Sequence, residues 1–446
     1  MTKSELHYKK MTETPVARLI VTLGIPTTIS MLITSIYNMA DTYFVGMLGE
    51  SAQAATGVMY PVQTIIQGIA FMLGQGAGTF IARKLADQDT PSASKYLSTA
   101  FFSGGIIGIV LMVLGLICLD PLVNALGSTA TIAPHAKNYA LWVLLAAPFL
   151  ICSMILNNAL RFEGRAFYSM IGLGFGGLLN IFGDYLFVMK LNLGVFGAGL
   201  ATAISQVVSF TILLIMYLTM AQSKIQLRSI SRQARDYLDI CRVGLPSLIR
   251  QGLASATSGV LNNLTKPFGD AAIAAMSVVN RYSMFLMCVG LGMGQGFQPV
   301  AAFNYQAKKY KRVKQGLIFT MCFGICFIGT ISTLSMIFSD SVIALFQKSQ
   351  DVREIGSVAL RYAAIGMLFM PLSVPVNMLY QSIQKPTIAS LLSLVRSGAV
   401  TIPMLLIFVP LLELTGVQIA QPTADIVAGL ISVPFVIHFL WKHPNE

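Results

Sequence analysis

Twelve stretches of the chain are apolar over about the 20 residues that an α-helix needs to cross a hydrocarbon core. They lie near residues 17–46, 52–81, 96–118, 136–159, 168–189, 196–220, 238–263, 271–300, 316–338, 354–380, 387–410 and 418–440, separated by short polar segments. The pattern predicts an all-α membrane protein with twelve transmembrane helices. The first run, Val16 to Met47, is too long for a signal-peptide core, and no small-residue cleavage site follows it. It reads as an uncleaved first span.

The pattern repeats. Sliding the chain by 220 residues brings Gly24-Ile-Pro26 onto Gly244-Leu-Pro246 and Leu48-Gly-Glu50 onto Phe268-Gly-Asp270. In the same register Gly74-Gln-Gly76 meets Gly294-Gln-Gly296, and Asp120 meets Asp340. One offset shared across about 100 residues marks an internal duplication. Six spans per half is an even number, so both halves enter the membrane the same way round and the repeat is parallel. The expected organisation is an N-lobe over residues 1–220, a polar basic linker over 221–237 and a C-lobe over 238–446. Two six-helix lobes facing a shared cleft form the architecture of a secondary transporter that alternates access.

Composition agrees: 55% hydrophobic and 11% charged residues, with a mean hydropathy of +0.71, exclude a soluble domain. The net charge of +12 finds its reason in topology. With a cytoplasmic N-terminus, most of the 30 Lys and Arg residues, among them Lys9, Lys10, Arg83, Lys84, Arg228 and Lys309, fall on inner loops and tails. Lys137, Lys190, Lys266, Lys348, Arg353 and Arg361 fall outside, and Arg250, Arg281 and Arg396 lie in mid-span. The positive-inside bias places both termini in the cytoplasm, and the basic loops face anionic lipid rather than nucleic acid.

Catalytic chemistry has little to stand on. His7, His135, His438 and His443 sit at tails or helix ends, and the six cysteines fall in or beside apolar runs without CxxC spacing. Neither a metal cluster, a disulfide framework nor a nucleotide-binding Gly-x4-Gly-Lys-Ser/Thr loop is legible. The chain reads as a non-enzyme without a cofactor.

The informative residues are those that the two halves do not share. Asp41 sits near the end of the first span, and Asn180 and Asp184 lie four apart on the fifth; at the repeat offset stand Leu261, Val400 and Met404. An ionised aspartate in a bilayer costs on the order of 2.5–3.5 kcal/mol even on the lenient insertion scale, so its default reading is functional. Counted from the outer ends of their spans, Asp41, Asp184 and Thr202 share a layer roughly 7–9 Å deep. Tyr139 falls at similar depth, and Asn38 precedes Asp41 by three residues. Two carboxylates, an amide and a hydroxyl make an oxygen-rich cage suited to a hard monovalent cation or a shared proton. Pro26 removes a backbone hydrogen bond from the first span and gives the helix that carries Asp41 a place to bend. Asp425, three residues after Pro422, reads as a structural acid in the first turn of the last span. Arg250, Arg281 and Arg396 line the cleft, snorkel or meet backbone carbonyls, three readings that the sequence leaves open.

Together these pieces resemble the multidrug and toxic compound extrusion (MATE) family, in its bacterial DinF- and MepA-like branch. The resemblance is carried by the twelve spans, the Gly-x-Pro openings of spans 1 and 7, Asn38-Met-Ala-Asp-Thr-Tyr-Phe-Val-Gly46, Gly74-Gln-Gly-Ala-Gly-Thr-Phe-Ile-Ala-Arg83 and Leu179-Asn-Ile-Phe-Gly-Asp184. Gly197-Ala-Gly-Leu-Ala-Thr202, Gly294-Gln-Gly-Phe-Gln-Pro299 and Gln421-Pro-Thr-Ala-Asp425 add to it. It implies export of amphiphilic, often cationic compounds against an inward flow of H⁺ or Na⁺, through a monomer in a bacterial or archaeal cytoplasmic membrane. It places the coupling network on Asp41, Asn180, Asp184 and Thr202 with the Ala198 carbonyl, and Tyr37, Asn38, Tyr139 and Asn157 as neighbours; Arg281 is a candidate substrate-facing residue. A flippase for a lipid-linked precursor and an exporter of an anionic or zwitterionic metabolite are the competing expectations.

Overall fold

The computed structural model describes residues 3–344 and 349–442; Lys348 and His443 lie outside them. The described chain is helical: α1 Lys3–Glu13, α2 Val16–Gly46, α3 Glu50–Ala86, α4 Thr90–Ile117, α5 Leu119–Ala125, α6 Ala133–Phe162, α7 Ala166–Asp184 and α8 Gly194–Met220. After the connecting segment follow α9 Ala234–Thr265, α10 Asp270–Gln306, α11 Tyr310–Ile337, α12 Ser339–Ala344, α13 Gln350–Met367, α14 Met370–Ser382, α15 Pro386–Leu394 and α16 Thr401–Lys442. Two π-helical segments, Tyr185–Lys190 and Val395–Ala399, continue α7 and α15.

The twelve spans are all present. Among the described residues, nine helices are individually long and apolar enough to cross a membrane, and α13 with α14 make another span bent by 44°. Pro386–Lys442, at 57 residues, is far too long for one crossing and divides at Glu413, whose φ of 51° and ψ of −127° break the helix. Helix α9, 32 residues long with Arg242 and Arg250 on it, completes the set. Short helices the hydropathy pattern did not separate, α1, α5 and α12, flank the spans.

The chain divides into two compact units, though not at residues 221–237. Unit 1 holds Met1–Met11 and Ile25–Leu248, and unit 2 holds Thr12–Gly24 and Ile249–Glu446. The connecting segment belongs to unit 1 because its backbone is hydrogen-bonded to α4. Lys224 N donates to Ser94 Oγ at 2.9 Å, Gln226 N to Ser98 Oγ at 3.0 Å and Ser231 N to Thr99 Oγ1 at 2.9 Å. The boundaries instead cut α1 after Met11, α2 before Pro26 and α9 after Pro246. Glycines explain this exchange. A Cβ on Gly244 would lie 1.8 Å from the Met72 carbonyl oxygen, and one on Gly76 would lie 2.1 Å from that of Ile240, so the start of α9 crosses α3 backbone to backbone. At the repeat positions in unit 2, a Cβ on Gly296 would lie 2.5 Å from Gly24 Cα. The Gly-x-Pro and Gly-Gln-Gly motifs are the two sides of these crossings.

The duplication extends to single hydrogen bonds. Asn157 Nδ2 donates to Ser169 O at 3.2 Å, and 220 residues later Asn377 Nδ2 donates to Ala389 O at 2.6 Å. Asp120 pairs with Lys137, and Asp340 with Arg353.

Candidate functional site

Small residues bring α7 against its neighbours in unit 1. A Cβ on Gly177 would lie 2.6 Å from Ile33 and 3.1 Å from the Tyr37 ring on α2, and one on Gly183 would lie 2.9 Å from Ala201 on α8. Helices therefore approach closely on two sides of the turn that carries Asn180 and Asp184. Immediately after Asp184 the helix widens into the Tyr185–Lys190 π segment, a local register change that often marks functional positions.

At this junction Tyr139 Oη donates to Asp41 Oδ2 at 3.0 Å and accepts from Gln63 Nε2 at 3.1 Å. Asn180 Nδ2 donates to Thr202 Oγ1 at 3.2 Å. Asp184 is fully buried, within electrostatic range of both Asp41 and Tyr139. Asp41 is 8% exposed and Asn180 1%. Among the described residues, four oxygens of this group have no hydrogen-bond partner: Asp41 Oδ1, Asn180 Oδ1 and both oxygens of Asp184. Buried acceptors without donors cost several times what a satisfied hydrogen bond gains, and a carboxylate more than a neutral group. A proton or a hard cation bound among them would relieve that cost.

Tyr139 thus joins Asp41, Asp184 lies within electrostatic range of both, and Asn180, one turn before Asp184, holds Thr202. Tyr37 lies one turn before Asp41, hydrogen-bonded to Gln206, and Ala198 is buried in the same apolar cluster as Tyr139. Other expected neighbours stand elsewhere. Asn38 is exposed. Asn157 clamps α6 to the start of α7 at Ser169, three turns from Asn180, and the same clamp recurs at Asn377 in unit 2, so its role is to hold helices. Arg281 is exposed on α10. Asp425 is not in a first turn: α16 resumes after Glu413 and runs through Pro422, leaving Asp425 in mid-helix and 4% exposed. Gln63 was not foreseen; its signal was an amide two residues after Pro61 within the apolar second span.

The family model MatE matches residues 26–186 and 246–407, one segment in each half. Multidrug export protein MepA of Staphylococcus aureus (strain MSSA476) is 28% identical over 440 residues, covering 97% of this chain and 96% of its own. MepA of Staphylococcus saprophyticus subsp. saprophyticus (strain ATCC 15305) is 26% identical over 93% of this chain and 92% of its own. A solved structure described as the outward-facing conformation of a multidrug resistance MATE family transporter of the MOP superfamily superposes with a TM-score of 0.91 at 26% identity, covering 98% of both chains. A duplicated twelve-span fold and a model match in both halves make the chain a member of the MatE family, in its MepA-like branch.

Proposed function

We propose that the protein is a multidrug efflux antiporter of the cytoplasmic membrane, in which H⁺ or Na⁺ moving inward through the Asp41–Asp184 site drives amphiphilic, often cationic compounds outward. The observation that carries this reading is the set of four buried, unpartnered oxygens on Asp41, Asn180 and Asp184. Thr202 and the Ala198 carbonyl complete a coordination shell for the ion, with Tyr139 holding Asp41 in place through its hydroxyl. The basic inner loops support cytoplasmic termini, and the protein works as a monomer because each polypeptide carries both halves.

One ion suffices energetically. At ~150 mV, a charge moving inward gains roughly 3.5 kcal/mol, equivalent to a substrate gradient of about a few hundredfold. Filling the site neutralises carboxylates that otherwise repel one another, so the loaded and empty states differ in charge on α2 and α7. A conformational equilibrium can be biased only by such a difference between its states.

Ethidium efflux from vesicles under imposed H⁺ or Na⁺ gradients tests the proposal. Asp41→Asn and Asp184→Asn are each expected to lower gradient-driven efflux at least tenfold at unchanged protein level. Full efflux in both variants would overturn the acid-pair mechanism.

A further inference from the structure

Where unit 1 carries Asp41 and Asp184, unit 2 has Leu261 and Met404 at the repeat offset, and the geometry points to an anion site between Arg250 and Arg396 that takes the carboxylate of an amphiphilic substrate. Arg250 lies midway along α9 and is 9% exposed. Arg396 lies in the Val395–Ala399 π segment, which packs on α9: Thr257 Oγ1 donates to Ser397 O at 2.9 Å, and a Cβ on Gly398 would lie 3.1 Å from Leu253 Cβ. Arg250 and Arg396 both line one cavity there, with Asn377, Ser393 and Ser397. By the repeat offset, Arg250 replaces Ser30 and Arg396 replaces Gly176, so the pair is peculiar to this half.

The charges there do not balance. Arg250 Nη1 and Arg396 Nε are buried without a hydrogen-bond partner. Neither arginine belongs to an ion pair among the described residues. The nearby carboxylate is Asp425, within electrostatic range of Arg396, and its Oδ1 accepts from Gln421 Nε2 at 3.4 Å. Two permanently charged guanidinium groups against one carboxylate leave a surplus of one positive charge in mid-span, where an uncompensated charge is costly. A monoanion removes the surplus, and a carboxylate matches the planar donor fork of a guanidinium. Leu291, Val374 and Leu392 supply apolar wall to the same cavity. The proposal deepens the export reading, on which it rests: the substrate range includes compounds that carry a carboxylate, zwitterions among them.

Equilibrium binding to the purified protein, without any gradient, tests the site apart from coupling. The probes are dansyl-alanine and its methyl ester, which differ in the carboxylate. The parent, and equally the Asp41→Asn, Asp184→Asn double variant, should bind the acid at least tenfold more tightly than the ester. Arg250→Gln and Arg396→Gln should each remove most of that preference, and Arg250→Lys, which keeps the charge if the glutamine variant fails to fold, should keep part of it. Lys266→Gln, exposed in the same half, should leave it unchanged. No preference for the acid in the parent, stabilisation by chloride alone without such preference, or a preference that survives loss of both arginines would overturn the proposal. Full gradient-driven efflux in Asp41→Asn and Asp184→Asn with the acid preference intact would instead count against the coupling reading alone.

Discussion

His7 shows how one buried side chain makes a local contact sensitive to acid. It lies in α1 and is 8% exposed. The loop it packs on turns at Gly164, whose φ of +73° suits glycine and whose Cβ, if present, would lie 3.5 Å from His7 Cε1. Burial, with Arg165 and Lys10 close by, holds the imidazole down at about 4 against an ordinary 6.5. A histidine held neutral in the fold binds its proton more readily once released. The docking of α1 is therefore complete above about pH 6.5, weakens as pH falls towards 4 and stays weak below it, by up to about 3 kcal/mol. Hydrogen exchange of α1 amides is expected to accelerate between pH 6.5 and 4.5 in the parent and much less in His7→Gln; equal pH profiles would refute the assignment. At this scale the sequence was most legible where a residue contradicts its surroundings. Asp41, Asn180 and Asp184 stand out because apolar spans tolerate acids and amides poorly. The family resemblance alone suggests Asn157 as a neighbour of these residues, and its bond to Ser169 and the copy of that bond at Asn377 reveal a clamp. Polarity marks that a residue has a partner, not which partner.

Among the elements, hydropathy located the spans because each is set by the thickness of hydrocarbon it must cross. It missed what depends on backbone detail. The break at Glu413, the 44° bend between α13 and α14 and the two π segments change few side-chain types, so they leave little trace in a hydropathy profile. Asp425 was misplaced for this reason: Pro422 suggested a helix start, whereas the helix continues through it. Glycine motifs carried more than their apolar character suggested. A Cβ at Gly244 would fall 1.8 Å from the Met72 carbonyl oxygen, a backbone atom that cannot swing aside, whereas Gly259 on the same helix has open space around its Cβ direction. Gly244→Ala should lower thermal stability by about 1–3 kcal/mol or more, as overpacking does. Gly259→Ala should be neutral or stabilising by up to about 1 kcal/mol, since alanine is the better helix former. A thermal unfolding series of the two variants decides it, and equal midpoints would show that α9 and α3 do not cross this tightly.

For the whole molecule, the consequential feature is where the polypeptide passes between its two units. The connecting segment 221–237 is fastened to unit 1 by α4 and by Glu163, which accepts from Gln222 N at 2.6 Å, Ser223 N at 3.2 Å and Tyr217 Oη at 2.8 Å. The passages fall within helices, α1 at Met11–Thr12, α2 at Gly24–Ile25 and α9 at Leu248–Ile249, and the last two lie within two residues of a proline. Proline cannot donate the hydrogen bond that would stiffen the helix there, so the chain is weakest against bending close to those two passages. Asp41 and Arg250 lie beyond those prolines on the same two helices. Any bend at Pro26 displaces Asp41 relative to the first turns of α2, and any bend at Pro246 does the same for Arg250, so the proposed ion and carboxylate sites move with those bends. We predict that Pro26→Ala and Pro246→Ala each slow gradient-driven ethidium efflux several-fold and that the double variant falls to background. Ser98→Ala, which removes the acceptor for Gln226 N, should stay within about twofold of the parent, because loosening the segment leaves both bending points intact. Parent-like efflux and unchanged ion dependence in the double proline variant would place the moving parts elsewhere.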